Sequence, residues 1–325
     1  MLHNNQKVWS MVLAAGDGTR LATLTTDAAG NAVPKQFCSL TGESSLLQSA
    51  LGRGAQVAAP KRVCTIVAEK HQRHWRQMLT HMAPENIVVQ PRNRGTANGI
   101  LLALLSILNR DSLAHIVFLP ADHYVQDETV LALGLEQMTM QLQHQPGKLL
   151  LLGITPDEVD PELGYIVPGE RVAPGMHAVT RFVEKPPVDR AQALLRDGAL
   201  WNSFIFAAQG AALLGLIRER YPEIVDAMET ALVRDSMQAG GVALRALYEQ
   251  LPEIDFSRAI VQGAEQRLRV VGTAPCGWTD LGTPKRVVET LRRQRPVPAP
   301  WRRPVQISPA LLTLASQCAL LQLAG

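Results

Sequence analysis

Short apolar runs alternate along this chain with longer stretches in which apolar residues return every three or four positions. Residues 8–15 (VWSMVLAA), 62–68, 86–90 and 114–119 are compact and apolar enough to predict buried strands, whereas 43–57, 70–82 and 96–109 carry helical spacing. Runs apolar on both faces, in a β-α-β-α order, predict an α/β fold with a mostly parallel sheet covered by helices. The order then changes. Residues 149–154, 164–168 and 178–183 predict strands with little helix between them, and 268–274 predicts another, so the second half should make the sheet mixed. Helices return at 191–196, 211–220 and 224–233.

The pattern breaks near the end. Five prolines fall between Pro296 and Pro309, among Arg292, Arg293, Arg295, Arg302 and Arg303. A stretch so rich in proline continues neither a helix nor a central strand, which predicts a linker or extended arm. The apolar segment 310–324, interrupted by Ser316 and Gln317, predicts a helix docked on this chain or on a partner, because exposed leucines at that density are unfavourable. The expected organisation is one domain over 1–290 and a Pro/Arg-rich linker with a short apolar segment over 291–325.

Composition narrows the class. With 325 residues, 46% hydrophobic and 19% charged, the chain can build a sizeable core, and general disorder is excluded. Aromatics are only 5%, so Leu, Val, Ile and Ala must fill that core. Lys plus Arg number 32 against 29 for Asp plus Glu, and a net +3 is no nucleic-acid footprint. Cys38, Cys64, Cys276 and Cys318 are scattered without a C-x-x-C pair, which excludes a zinc ribbon and predicts the reduced thiols of a cytoplasmic protein. Residues 1–7 lack the apolar stretch of a signal peptide, and no run reaches the ~18 apolar residues a membrane span requires.

Two strings carry chemistry by residue type. LAAGDGTRL (13–21) follows the first strand; Gly16 and Gly18 let the backbone turn tightly and aim consecutive N–H groups at an anion, and Arg20 adds a guanidinium fork suited to phosphate oxygens. It is not a Walker loop, because no G-x-x-x-x-G-K-[ST] string occurs, nor a dinucleotide fingerprint, which needs a third glycine where Leu21 stands. The second string, Pro34-Lys35-Gln36-Phe37, offers a point charge after a Gly/Asn-bearing segment, 27–33, that reads as a mobile loop over the first turn. Taken singly, a plain tight turn explains the first string equally well, and a lone exposed lysine such as the second offers is usually just solvated.

Seven further strings follow in order: QPRNRGTA (90–97), LPADH (119–123), ELGYI (162–166), FVEKP (182–186), LWNS (200–203), IDFS (254–257) and GWTDLG (277–282). Together with LAAGDGTRL, VPKQF (33–37) and LLQ (46–48), the set resembles the sugar-phosphate nucleotidyltransferases, closest to the mannose-1-phosphate guanylyltransferases, over roughly residues 7–294. The resemblance implies a Rossmann-like three-layer fold around a mostly parallel, mixed central sheet. It also implies a reaction that joins a nucleoside triphosphate, GTP favoured, to a sugar 1-phosphate and releases pyrophosphate, with mannose 1-phosphate and GDP-mannose as the leading pair. The chain departs from the family pattern at Ala15-Gly16, where two glycines are common, in the extra residues 27–33, and at Gly95-Thr96-Ala97-Asn98, where Asn-Thr-Ala-Pro is frequent. Larger bifunctional relatives carry a C-terminal isomerase domain, which the short tail here leads us not to expect.

In such a reaction a phosphate oxygen of the sugar attacks the α-phosphorus. With its second pKa near ~6 this nucleophile is mostly dianionic at neutral pH and requires no general base. The obstacle is repulsion between two polyanions, so the site should be rich in Lys, Arg, backbone N–H and a metal. The eight histidines show neither triad nor metal spacing. The resemblance then implies roles residue by residue. Ala14, Ala15, Gly16, Gly18, Thr19, Arg20, Gln90, Gly95 and Thr96 would bind the nucleotide, the Gly16–Gly18 turn and Arg20 at its phosphates and Gln90 and Gly95 at its base. Asp122 and Asp280 would ligate Mg2+. Lys185 would grip the sugar phosphate with Lys35 assisting, and Gly164, Glu184 and Asn202 would meet the sugar. Arg20, Lys35 and Lys185 form the expected catalytic set.

A glycosyltransferase of similar fold usually displays Asp-x-Asp, which this chain lacks. A non-catalytic regulatory relative should have lost one of the charged residues, yet all are present. A thymidylyl- or uridylyltransferase acting on another sugar 1-phosphate stays open. The expected partners are these small molecules, without nucleic acid or membrane, and a homo-oligomer is compatible with the apolar tail.

Overall fold

The computed structural model describes residues 7–293 apart from 22–23, 28–29, 41, 43 and 238–239. The expected proline-rich arm and apolar segment 310–324 lie outside the described residues. The first half alternates as the apolar pattern predicts: β1 (Val8–Ala14), α1 (Leu46–Val57), β2 (Val63–Ala68), α2 (Gln72–Met78), β3 (Ile87–Gln90), α3 (Gly95–Leu108) and β4 (His115–Pro120). Helix α1 starts at Leu46 because Ser45 and Gln48 form a capping box, the Ser45 hydroxyl accepting from the Gln48 N–H and the Gln48 side-chain Oε1 from the Ser45 N–H. The second half holds α4 (Glu128–Leu142), β5 (Leu149–Ile154), β6 (Gly164–Ala173), β7 (Met176–Glu184), α5 (Val188–Arg196), β8 (Leu200–Gln209), α6 (Gly210–Arg220), α7 (Pro222–Met237), α8 (Val242–Gln250), β9 (Leu268–Thr273) and α9 (Pro284–Arg293). Helix α9 runs across residue 290, at which the expected domain ends.

The described strands form one nine-stranded sheet in the order β3-β2-β1-β4-β8-β5-β9-β7-β6. From β3 to β4 every pairing is parallel; β8 then runs antiparallel to β4 and β5, β5 and β9 are parallel, and β7 and β6 close the far edge antiparallel. The sheet is therefore mixed, as the change in element order predicts.

Both faces are covered. Along β1, Val8, Val12 and Ala14 pack with α1, α2 and α4 residues such as Leu47, Trp75 and Leu135, while Trp9 and Met11 pack with α3 and α6 residues such as Ile100 and Leu213. The period-2 alternation of a strand thus feeds two separate cores and yields three layers.

The apolar pattern did not mark α4, α8, α9 or β8. In α4, Leu131, Leu135, Met138 and Leu142 are buried, but Leu133 and Met140 are exposed, and the mixture blurs the helical stripe. Strand β8 runs without a break into α6, so one apolar run contains two elements of different period. The segment expected to be a loop over the first turn is folded back on itself, with a Thr26–Ala32 bridge and the Val33 N–H donating to the Thr25 carbonyl at 2.7 Å.

Candidate active site

Strand β1 has β2 on one side and β4 on the other, so the connections leave it in opposite directions and open a crevice at the carboxyl ends of β1 and β4. A cavity of about 560 Å³ lies there. Its lining includes Ala15, Gly16, Arg20, Lys35, Gln90, Gly95, Thr96, Asp122, Gly164, Glu184, Lys185, Asn202 and Asp280. Residues spread over most of the sequence are therefore gathered in one cleft. Ala14 and Gly18 stand outside its lining. Ala14 is buried at the end of β1, where its carbonyl accepts from Gln36 Nε2 at 3.1 Å. Gly18, at φ +63°, passes so close to the Lys35 backbone that a Cβ would lie 3.1 Å from its nitrogen. Thr19 opens the short 3-10 turn Thr19–Leu21 that carries Arg20.

The glycine turn is fixed from below by Gln36, whose Nε2 donates to the Ala14 and Gly16 carbonyls. Lys35, only 7% exposed, places Nζ 2.9 Å from Asp122 Oδ2 and donates also to the Asp280 carbonyl. One lysine thus joins two aspartates from distant parts of the sequence. They meet because Tyr124 and Thr279 exchange both backbone hydrogen bonds at 2.9 Å, clamping the loop after β9 beside the end of β4. Burial pushes the Asp122 carboxyl up, but Lys35 and His123 outweigh it and hold the pKa below the usual carboxylate value. Burial also pushes His123 down to about 4, so the ring is neutral. Its Nδ1 accepts from Trp278 Nε1 at 3.3 Å, which puts the proton on Nε2, 3.6 Å from Asp122 Oδ1.

The opposite wall is assembled by strand pairing. Gly164 faces Glu184 across β6 and β7, and Tyr165 faces Trp201 across β6 and β8, which brings Asn202 alongside. A Cβ on Gly164 would lie 2.6 Å from Glu184 Oε2 and 3.2 Å from Asn202 Cβ, so only glycine leaves room for both side chains. Burial, with the Asp255 charge adding to it, pushes Glu184 up to about 7 against the opposing pull of Lys185 and Arg258. Among the described residues three non-glycine positions have positive φ: Lys185, Phe204 and Leu281. The first two line the cleft and the third follows Asp280. Backbone strain of this kind gathers at sites whose geometry the fold over-determines.

The expected base-facing residues are less free than their types suggest. Gln90 is 2% exposed and its Nε2 donates to the Arg92 carbonyl at 2.8 Å. The Gly95 N–H donates to Asn93 Oδ1, and the Thr96 hydroxyl accepts from the Phe256 N–H at 2.8 Å. A Cβ on Gly95 would lie 2.4 Å from the Ile254 carbonyl oxygen. This corner is thus tied to segment 252–256, and Asn93, Glu253 and Asp255 join the lining. Gln36, His123, Glu162, Phe204 and Trp278 also line the cleft without a role from sequence; each lies in or beside one of the quoted strings, which was the only available signal. Arg20 lies 3.7 Å from Glu162, and both are largely exposed.

Asp122 and Asp280 present hard oxygen donors on one rim, and among the described residues no group of three or more His, Cys, Asp or Glu could hold a metal by itself. That donor set fits a cation that takes one or two carboxylates and draws its other ligands from substrate phosphates and water, as magnesium does. Cys38, Cys64 and Cys276 are free thiols, and among the described residues no helix is long and apolar enough to cross a membrane.

The family profile for nucleotidyl transferases matches residues 9–294, and the chain belongs to that family. Among particular relatives it is 32% identical over 287 residues to the xanthan biosynthesis protein XanB of Xanthomonas campestris pv. campestris, an alignment covering 85% of this chain and 58% of that protein. It is 29% identical over 290 residues to the mannose-1-phosphate guanylyltransferase of Escherichia coli K12, again covering 85% and 58%. The crystal structure of mannose-1-phosphate geranyltransferase from Thermus thermophilus superposes with a TM-score of 0.75 at 28% identity, covering 90% of this chain and 81% of that one. The chain therefore spans 58% of the length of these two curated relatives.

Proposed function

We propose that this chain transfers a nucleotidyl group from a nucleoside triphosphate to a sugar 1-phosphate, with GTP and mannose 1-phosphate as substrates and GDP-mannose and pyrophosphate as products. The observation that carries the reading is one cleft that collects Arg20, Lys35 and Lys185 with Asp122 and Asp280, which Lys35 joins. The names of the relatives, mannose-1-phosphate guanylyltransferase among them, favour this base and sugar.

The chemistry is displacement at phosphorus. A phosphate oxygen of the sugar 1-phosphate forms the new O–P bond at the α-phosphorus, the bond to the β-phosphate oxygen breaks, and pyrophosphate leaves with that electron pair. The glycine turn at Gly16 and the Arg20 guanidinium hold the phosphates that become the leaving group. Lys185 orients the sugar phosphate, while Glu184 and Asn202 hydrogen-bond the sugar beside the space kept open by Gly164. Lys35 pairs with the Asp122 carboxylate, which it holds ionised for a cation, and its hydrogen bond to the Asp280 carbonyl draws the two loops together. Magnesium, held by Asp122 and Asp280, would supply charge neutralisation on the phosphates. Catalysis on this reading is positioning and electrostatics. On this reading the enzyme works in the cytoplasm, and the product would feed polysaccharide or glycoconjugate synthesis.

The test is pyrophosphate release measured for the four common ribonucleotides and dTTP, each crossed with mannose and glucose 1-phosphates. Preference for GTP with mannose 1-phosphate supports the reading. Preference for dTTP or UTP with glucose 1-phosphate would replace it with a thymidylyl- or uridylyltransferase, and no release from any pair would favour a non-catalytic relative.

A further inference from the structure

We infer that Arg286 is a positioning residue for this reaction, a buried guanidinium that braces the Asp280 rim of the cleft against the segment feeding the opposite wall. The inference rests on the function proposed above. Arg286 projects from α9, is 8% exposed, and lines a small cavity beside Trp201 and Trp278 rather than the cleft itself. One Nη donates to Asp280 Oδ1 and the other to Asp160 Oδ2, so a single planar fork holds two carboxylates from different parts of the chain. Asp280 Oδ1 also accepts from the Gly282 N–H at 2.9 Å, which sets its orientation from two sides. Asp160 is buried as well; its Oδ1 accepts the Glu162 N–H at 2.9 Å and its own N–H donates to the Tyr165 hydroxyl at 3.0 Å.

Glu162, Leu163 and Gly164, which follow Asp160, line the cleft. The contacts therefore run without a gap from Asp280 through Arg286 and Asp160 to the wall assigned to the sugar. Removal of the guanidinium would leave the buried Asp160 carboxylate and the half-buried Asp280 carboxylate without their cation and both walls without a common anchor. Lysine restores the charge but not the fork, since one ammonium cannot keep the geometry to both carboxylates.

Arg286→Lys tests the brace, and Asp160→Asn tests it independently by keeping an acceptor for the Glu162 N–H while turning an amide toward Arg286. Steady-state pyrophosphate release gives kcat and the KM for sugar 1-phosphate, and hydrogen exchange read by mass spectrometry follows amides 160–166 without turnover. Arg286→Lys should lower kcat on the order of 10²-fold, raise the KM for sugar 1-phosphate, and speed exchange at Glu162 and Leu163. Asp160→Asn should reproduce the faster exchange and the higher KM, and the double variant should be no worse in KM than Arg286→Lys alone. Unchanged KM and exchange in either folded variant, or KM effects that multiply in the double variant, would overturn the brace. Should Arg286→Lys fail to fold, Asp160→Asn decides alone. Absence of pyrophosphate release by the unsubstituted chain would defeat the proposed reaction, while hydrogen exchange still reports whether Arg286 joins the two walls.

Discussion

The two walls of the cleft are built differently. The wall from the parallel half sits on the carboxyl ends of β1, β3 and β4, and its groups are locked by buried contacts: Gln36 on the Ala14 and Gly16 carbonyls, Lys35 between Asp122 and Asp280. The wall from the antiparallel half carries its groups on strand ends. There Lys185 is exposed at φ +48°, and Glu184 has a carboxyl pushed up to about 7 by burial and Asp255. The difference teaches that one side is a fixed electrostatic frame and the other a surface whose charge follows pH. A fixed frame suits the charge that develops on the leaving pyrophosphate, and its loss should cost rate more than affinity.

The sharpest way to break this comparison is Asp122→Asn, which leaves Lys35 without its carboxylate partner. Turnover should fall on the order of 10³-fold or more with far-ultraviolet circular dichroism unchanged. Full activity at saturating magnesium would show that the frame does not need the carboxylate.

Gly95→Ala should come next. The new methyl would press on the Ile254 carbonyl at 2.4 Å in a backbone conformation with φ +80°, so unfolding stability should drop by about 3 kcal/mol or more in chemical denaturation. A loss below 1 kcal/mol, against that order-of-magnitude figure, would mean that segment 252–256 yields and does not anchor the corner.

Lys185→Ala probes the adjustable wall. The KM for sugar 1-phosphate should rise on the order of tenfold with a smaller change for the nucleoside triphosphate, as initial rates at fixed partner concentration would read. Equal effects on both substrates would erase the division between the walls.

The smallest effect is in stability against pH. Glu184 keeps its proton in the fold until about pH 7, whereas its ordinary value is 4.5. Between these values the folded chain binds more protons than the unfolded one, so this group makes stability fall as pH rises through the window and level off above it. The advantage of Glu184→Gln over the unsubstituted chain should therefore grow by on the order of 1–2 kcal/mol across that window, measured by urea unfolding at successive pH values. A flat difference would place the Glu184 carboxylate in water.

Much of this was legible from residue order. The both-face apolar runs of β1, β2 and β4 marked strands that feed two cores, and Gly16 and Gly18 after β1 marked a tight turn, because local periodicity and backbone freedom are properties of short windows. Strand β8 was hidden because its apolar run merges with that of α6, and α4 because Leu133 and Met140 interrupt its stripe.

By itself the sequence determined which charged groups exist, where the chain can turn, and which runs must be buried. Tertiary structure alone decided that Lys35 lies between Asp122 and Asp280 and that Arg286 faces Asp160. The physical reason is distance along the chain. Periodicity reports which face of a segment leaves water, whereas a contact between residues more than eighty positions apart depends on sheet order and loop clamps such as Tyr124 with Thr279, which no local pattern encodes.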